Sequence, residues 1–371
     1  MNPIYHIDDI SEIFSPVPIL FRDLVEANID EMIRVAGNTE RLRPHCKTHK
    51  MAEVTKLEVA RGISKHKAAT FAEVEMLADA GATDIVLAYN PVGPNITRAI
   101  RVREQYPDMT FSVTADNFDA LAALATAMHG AGQTVEVLVD INIGMNRTGL
   151  LVGDEAFELY RQIVELDGVV PGGLHLYDGH NQQVDIDERL TAVDATWHDA
   201  MAFRECLETE GWSVPRLVCG GTPTFPLFAA KSEPGIESSP GTTVLHDAHY
   251  GLKFPDLNFT PAVLVLTRCI SRPGPDLVTF DIGNKAVAAD PAIDIRTHFP
   301  DLPDAKPTYH NEEHLVLQTP EAHRYKPGDV AYAVPGHICP TMALHREVPV
   351  VAGGKVVDTW AVTARDRKLT I

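Results

Sequence analysis

Apolar residues follow two patterns along this chain, and the change comes near residue 255. Before it, short apolar runs alternate with stretches of helical spacing. The runs at 41–49, 63–70, 83–90, 109–116, 134–142, 170–178, 216–222 and 236–241 read as strands. Between them, 71–80 sets Phe71, Val74, Met76 and Leu77 at helical spacing, 117–130 and 154–166 repeat the pattern, and 186–211 predicts a longer helix. Ahead of these, 18–24 predicts a short strand. Residues 28–36 predict a helix with Ile29, Met32, Ile33 and Ala36 on one face, Asn28 or Asp30 as N-cap and Gly37 as stop. Apolar strands separated by helices imply a parallel sheet, because parallel strands need crossover connections. Eight such units over about 220 residues fit an α/β fold of the (β/α)8 TIM-barrel type. The rival, an open doubly wound sheet, would want a GxGxxG at its first turn, and the chain has none there.

After residue 255 the runs at 259–271, 276–283, 314–319, 329–335 and 347–362 read as strands with little helix between them, and Gly274, Pro275, Gly328, Gly353 and Gly354 supply turns. This predicts a C-terminal antiparallel β domain. The division expected is a barrel over 16–254 and a β domain over 255–371 joined by 1–15. With 371 residues the chain has room for both.

A net charge of −19 argues against a nucleic-acid partner, which would want a basic face. No run of about 18 uncharged apolar residues suggests a membrane span, and the first residues lack the basic-then-apolar order of a signal peptide. Cys46, Cys206, Cys219, Cys269 and Cys339 are scattered and odd in number, which fits free thiols and a cytoplasmic location.

The chemistry centres on Arg43-Pro44-His45-Cys46-Lys47-Thr48-His49-Lys50. In an extended strand His45, Lys47 and His49 share one face. The segment alone fits an exposed basic strand as well as it fits a buried, nucleophilic lysine. A barrel sets its functional groups at the C-terminal ends of its strands. Lys47 falls at that end of the first strand, Arg147 after the fifth, and Tyr177 and His180 after the sixth. Gly220, Gly221 and Thr222 follow the seventh strand, and Gly241 and Thr242 the eighth. Such glycine and hydroxyl residues suit either plain turns or a phosphate seat, since glycine lets backbone N–H groups come close. A phosphate seat and a strand-end amine in one barrel suggest pyridoxal 5′-phosphate. A second cluster, Pro335-Gly336-His337-Ile338-Cys339-Pro340-Thr341, closes a β-domain strand with His337 and Cys339 on the same side. An imidazole and a thiolate suit Zn2+ better than Mn2+ or Mg2+, and two ligands leave coordination positions open. Packing of a buried histidine and cysteine is the alternative. Asp178 and His180 are alternative ligands, and His310 and His314 read as solvated or core side chains.

Taken together, RPHCKTHK, ATFAEVEML, MNRTG, YDGH, GGTPT, SPGT and HICPT resemble the D-threonine aldolase / D-serine dehydratase family, in order and from about residue 16 to 371. The resemblance implies an alanine racemase-like fold, a barrel plus a β domain, and a pyridoxal phosphate enzyme. It implies that Lys47 carries the cofactor and that Gly220, Gly221, Thr222, Gly241 and Thr242 surround its phosphate. Arg147 and Tyr177 would touch its ring, and His337 and Cys339 would bind a divalent metal and serve catalysis with Lys47. HKMAEV, LAYNPVGPNI, EEHLV and TWAVTARDR are most similar to the aldolase branch. Cys339 leans the other way, since several aldolases carry Asp there and dehydratases Cys. The expected activity is retro-aldol cleavage of D-threonine or related D-3-hydroxy amino acids to glycine and an aldehyde. Dehydration of D-serine or D-threo-3-hydroxyaspartate to a 2-oxo acid and ammonia is the alternative. A homodimer is implied, and the partner of the pyridine nitrogen stays unassigned.

Overall fold

A computed structural model describes residues 2–371. In chain order it begins β1 (Val17–Phe21), α1 (Arg22–Ala36) and α2 (Ala52–Ala60). Strands and helices then alternate: β2 (Lys65–Ala68), α3 (Phe71–Asp79), β3 (Asp84–Leu87), α4 (Pro94–Gln105), β4 (Thr110–Ala115), α5 (Phe118–Gly130), β5 (Val135–Asp140), α6 (Asp154–Glu165), β6 (Val169–Leu176), α7 (Ile186–Thr209), β7 (Leu217–Cys219), α8 (Phe225–Ala229), β8 (Ile236–Ser238) and α9 (Ala248–Lys253). The remainder is mostly strand: β9 (Val263–Gly274), β10 (Leu277–Phe280), β11 (Thr297–His298), β12 (Lys306–His310), β13 (Leu315–Gln318), β14 (Val330–Pro335), α10 (Ile338–Leu344), β15 (Glu347–Ala352) and β16 (Lys355–Ala361). Two compact units result. One comprises 32–47, 55–241 and 367–371; the other comprises the chain up to Glu31, 48–54 and 242–366.

The first unit is a parallel sheet of seven strands in the order β2-β3-β4-β5-β6-β7-β8. Val86, Leu138 and Val218, from β3, β5 and β7, form one buried cluster, as expected of a barrel whose interior layers draw on alternate strands. The eighth place is not a strand. The run expected over 41–49 makes only bridges: Arg43 N donates to Ser238 O (2.9 Å) and His45 N to Pro240 O (2.8 Å) on one side. On the other, Lys67 N donates to Pro44 O (2.9 Å) and Cys46 N to Lys67 O (3.1 Å). These bonds link β8 to β2 and close the ring. Pro44 has no N–H to extend a ladder, and Cys46–His49 fold into a turn. The shared face expected for His45, Lys47 and His49 therefore does not exist, because the chain stops being extended after His45.

Arg43 fixes this closure from inside. Its side chain is wholly buried, with Nε 2.6 Å from Glu237 Oε2 on β8 and the two terminal nitrogens each 2.9 Å from an oxygen of Asp84 on β3. Burial alone would lower its pKa, but Glu237 and Asp84 raise it above its ordinary value. Helix starts are capped as the sequence suggests. Thr70 accepts from Glu73 N and Glu73 accepts from Ala69 N, a capping box at α3.

The second unit is a nine-stranded sheet in the order β12-β13-β10-β9-β1-β15-β16, with β14 beside β9 and β11 beside β14. The strand expected at 18–24 forms over Val17–Phe21, but it pairs here, antiparallel to β9 and parallel to β15, with Leu20 opposite Val350. After Phe21 the chain turns helical at once, earlier than the expected residue 28. Val25, Ile29, Met32 and Ala36 are all buried and extend the apolar stripe back one turn. β9 alternates between two cores: Val265 and Cys269 pack with Phe280, Leu315 and Leu317, while Leu264 and Leu266 pack with Ile19, Phe21 and Val351. β11 and β12 were not foreseen; β12 is largely exposed and carries Pro307, which suits an edge. Among the described residues no helix is long and apolar enough to cross a membrane.

Candidate active site

The turn after the closing segment delivers Lys47. Its backbone N–H donates to His45 Nδ1 (3.3 Å), and its half-buried side chain reaches the ring of Tyr177, the first residue after β6. Three cations gather on that ring. Arg147 Cζ lies 4.6 Å from its centroid, Lys47 Nζ 5.6 Å and Lys67 Nζ 5.7 Å. Arg147 is presented by a loop built on Asn142, whose Oδ1 accepts from Gly144 N (3.1 Å) and Asn146 N (3.0 Å). Gly149 closes the loop in a left-handed conformation, φ +96°, where a Cβ would stand 2.7 Å from Asn142 N.

Beneath these, His175 on β6 donates from Nδ1 to Asp140 Oδ1 on β5 (2.7 Å). Burial would raise Asp140, but His175, the Thr148 hydroxyl and Arg147 hold its carboxyl below its ordinary value. Burial lowers His175 in spite of Asp140, so its ring is neutral and donates through Nδ1. Its Nε2 is buried and has no protein partner.

The loops after β7 and β8 meet. Gly241 N donates to Thr222 Oγ1 (3.2 Å), and Gly221 N donates to Thr224 Oγ1 (3.3 Å). Gly220 has φ +74° and packs so tightly that a Cβ would come 2.7 Å from Phe228. The structure thus brings Lys47, Arg147 and Tyr177 together at one ring, and Gly220, Gly221, Thr222 and Gly241 together at the joined loops. Thr242 belongs to the other unit.

In that unit Thr242 Oγ1 lies 3.9 Å and Thr48 Oγ1 3.2 Å from Cys339 Sγ. His337 and Cys339 do meet, but not by strand alternation: β14 has ended, His337 is the residue before α10, and Cys339 lies in its first turn. Burial lowers His337, yet its hydrogen bond to Cys339 and the Asp290 carboxylate more than reverse this and raise its pKa to about 9. Asp290 Oδ2 stands 2.6 Å from His337 Nδ1. Asp247, pushed up to about 6 by burial, accepts from Ile338 N (3.2 Å) and fixes the start of α10.

The alternative ligands are otherwise occupied. Asp178 accepts from Thr224 Oγ1 (2.7 Å) and Asn181 Nδ2 (3.1 Å), and His180 is exposed. His310 is buried and His314 exposed, as read from the sequence. His45, Cys46 and Glu73 each bring a ligand atom within 4.8 Å of the others. Glu73, however, already accepts from Ala69 N (2.6 Å) and from the Cys46 thiol (3.6 Å), so it is committed to capping α3. Sequence reasoning missed Lys67, His175 and Asp290. A lysine at an inward position of an otherwise apolar barrel strand was the available signal for Lys67. Asp290 sits in a long loop and carried none.

A strand ring closed at a lysine-bearing turn, beside an antiparallel sheet unit, defines an enzyme of the alanine racemase class. The family described as "Alanine racemase, N-terminal domain" matches residues 22–244, and "Putative serine dehydratase domain" matches 262–351. The D-threonine aldolase of Arthrobacter sp is 31% identical, over 96% of this chain and 94% of its own. The 3-hydroxy-D-aspartate aldolase of Paracoccus denitrificans is 28% identical, over 97% of this chain and 94% of its own. The crystal structure of D-threonine aldolase from Filomicrobium marinum superposes with a TM-score of 0.89 at 29% identity, covering 96% of this chain and 97% of that one. The chain belongs to the D-threonine aldolase / D-serine dehydratase family of alanine racemase-like lyases.

Proposed function

We propose that this protein is a pyridoxal phosphate- and divalent metal-dependent aldolase that cleaves D-3-hydroxy-α-amino acids, D-threonine among them, to glycine and an aldehyde. The observation that carries this reading is similarity to D-threonine aldolases over nearly the whole length, in sequence and in fold. The residues present fit the cofactor. Three cations face one carboxylate at the Tyr177 ring, a surplus suited to an anion, and the unpartnered Nε2 of His175 is a buried polar atom awaiting one. A Cβ on Gly221 would come 3.3 Å from Tyr177 Cε2, so glycine keeps the flank of that ring clear.

Pyridoxal phosphate, when bound, supplies the electron sink for the bond broken at the substrate's Cα. Lys47 would hold it covalently, Arg147 and Tyr177 would contact its ring, and Gly220, Gly221, Thr222, Gly241 and Thr242 its phosphate. Displaced by the amino group of the substrate, Lys47 becomes a free amine able to hold a proton. His337 and Cys339 would hold the cation, which lowers the pKa of a hydroxyl it touches. They fit it: with Nδ1–H given to Asp290, His337 offers Nε2, and its side chain already meets the Cys339 sulfur. Asp290→Asn is therefore expected to weaken divalent-metal affinity by about 10–100-fold, measured by chelator competition on the purified protein. Unchanged affinity would remove Asp290 from the metal's support. The family resemblance carries with it a homodimer and a cytoplasmic location, the latter in keeping with five unbridged cysteines.

The second reading is the dehydratase, favoured by Cys339 and by the match to a serine dehydratase domain over 262–351. One assay separates the two. Protein supplied with pyridoxal phosphate and Zn2+ or Mn2+ is given D-threonine, L-threonine and D-serine in turn. Glycine and acetaldehyde from D-threonine alone are expected; 2-oxobutanoate with ammonia, or pyruvate from D-serine, would assign the dehydratase instead.

A further inference from the structure

The barrel holds a second lysine that the proposed chemistry does not use. Lys67 lies on β2, and its main chain is fixed by the two bonds to Pro44 and Cys46 that close the ring next to the Lys47 turn. Only 2% of it is exposed. Its Nζ stands 5.7 Å from the Tyr177 centroid, almost the same distance as that of Lys47. The groups facing it come from every neighbouring part of the barrel: Lys47 from the closing turn, Asp140 and Arg147 from β5 and its loop, His175 from β6, and Cys219 from β7.

None of these is placed to act as a base toward the Lys47 ammonium. Asp140 is tied to His175 and held below the usual carboxylate range. Burial pushes the Cys219 thiol far up, so it stays protonated. Arg147 does not deprotonate, and neutral His175 has given its Nδ1–H to Asp140. Lys67 differs from all of them. Burial, and then the charge of Lys47, bring its pKa down to about 7, so above neutrality it is a free amine inside the site.

We propose that Lys67 is the proton-holding partner of Lys47, taking the proton that the Lys47 ammonium must lose before it can act as a nucleophile and returning it when Lys47 is released. The exchange is balanced: Lys47-NH3+ and Lys67-NH2 become Lys47-NH2 and Lys67-NH3+, with only N–H bonds broken and made. Two buried amines cannot both keep their charge at little cost, so one proton shared between them is the stable arrangement. The proposal rests on the assignment of Lys47 as the cofactor-bearing lysine.

The test follows cofactor capture rather than turnover. Protein stripped of cofactor is mixed with pyridoxal phosphate, and the visible absorbance of the covalent species is recorded against time across neutral pH. The wild-type rate is expected to climb through about pH 7. Lys67→Met and Lys67→Arg are expected to slow capture by about 10²-fold or more and to lose that climb, while reaching full occupancy in the end. Lys67→Gln serves where Lys67→Met does not fold. Wild-type kinetics in Lys67→Met or Lys67→Gln, or full rescue by the permanently charged Lys67→Arg, would overturn the proposal. Failure of the underlying assignment looks different: borohydride would then fix the cofactor of the wild-type protein to a lysine other than Lys47.

Discussion

Lys47→Ala is expected to fold, to show no covalent cofactor absorbance, and to lose turnover by on the order of 10⁴-fold or more, because the residue that carries the cofactor is also an amine of the reaction cycle. Folding should survive for structural reasons. The turn is held by main-chain bonds at Pro44, His45 and Cys46, and by the bond from Lys47 N to His45 Nδ1, none of which uses the lysine side chain. The side chain contributes a contact to the Tyr177 ring, worth about 0.5–1 kcal/mol. Circular dichroism and thermal unfolding would check the fold, and a visible spectrum with pyridoxal phosphate added would check the cofactor. Covalent absorbance that persists in the variant would mean that another lysine carries the cofactor.

The largest effect on stability is expected a few residues away. Arg43→Ala should destabilise the protein by about 3–5 kcal/mol, because it leaves two carboxylates without their cation inside the barrel. Glu237 and Asp84 are 7% and 16% exposed, so water cannot take over from the guanidinium. Arg43→Met combined with Glu237→Gln and Asp84→Asn should recover most of the loss, since the cost lies in the unpaired charges more than in the missing attraction. Chemical denaturation of the three proteins measures both. A single variant within about 1 kcal/mol of wild type would show that the ion pairs are not what keeps the ring of strands closed.

Much of this was legible in the sequence, and the exceptions share a cause. The seven runs from 63 to 241 each contain a strand, because apolar runs of that length between helical stretches have few other folds open to them. The first run misled through a single residue, since Pro44 lets the chain bridge to its neighbours but not ladder with them. β1 was visible as a strand, but local pattern says nothing about partners, and its partners lie far along the chain. His337 and Cys339 were found as a pair for a reason that proved wrong: a helix start brings them together, not strand alternation. Lys67 and His175 were hidden because each sits among residues that read well without it. Asp290 meets His337 across 47 positions of sequence, and only folding brings the two side chains together.

The place of β1 in its sheet has a consequence during synthesis. Its five residues are paired on one side by β9, which begins at Val263, and on the other by β15, which begins at Glu347. At about 5–20 residues per second, a ribosome makes β1 roughly 10–50 s before either neighbour exists. All that time an apolar segment, four of whose five residues end up buried, waits without a mate while the barrel strands are being made. Pro16 and Pro18, at its entrance and inside it, have no N–H to offer a stray strand edge, so the nascent segment is a poor template for wrong pairing. The last sheet to be completed is thus nucleated by the first strand to be made, and its assembly waits on the end of translation.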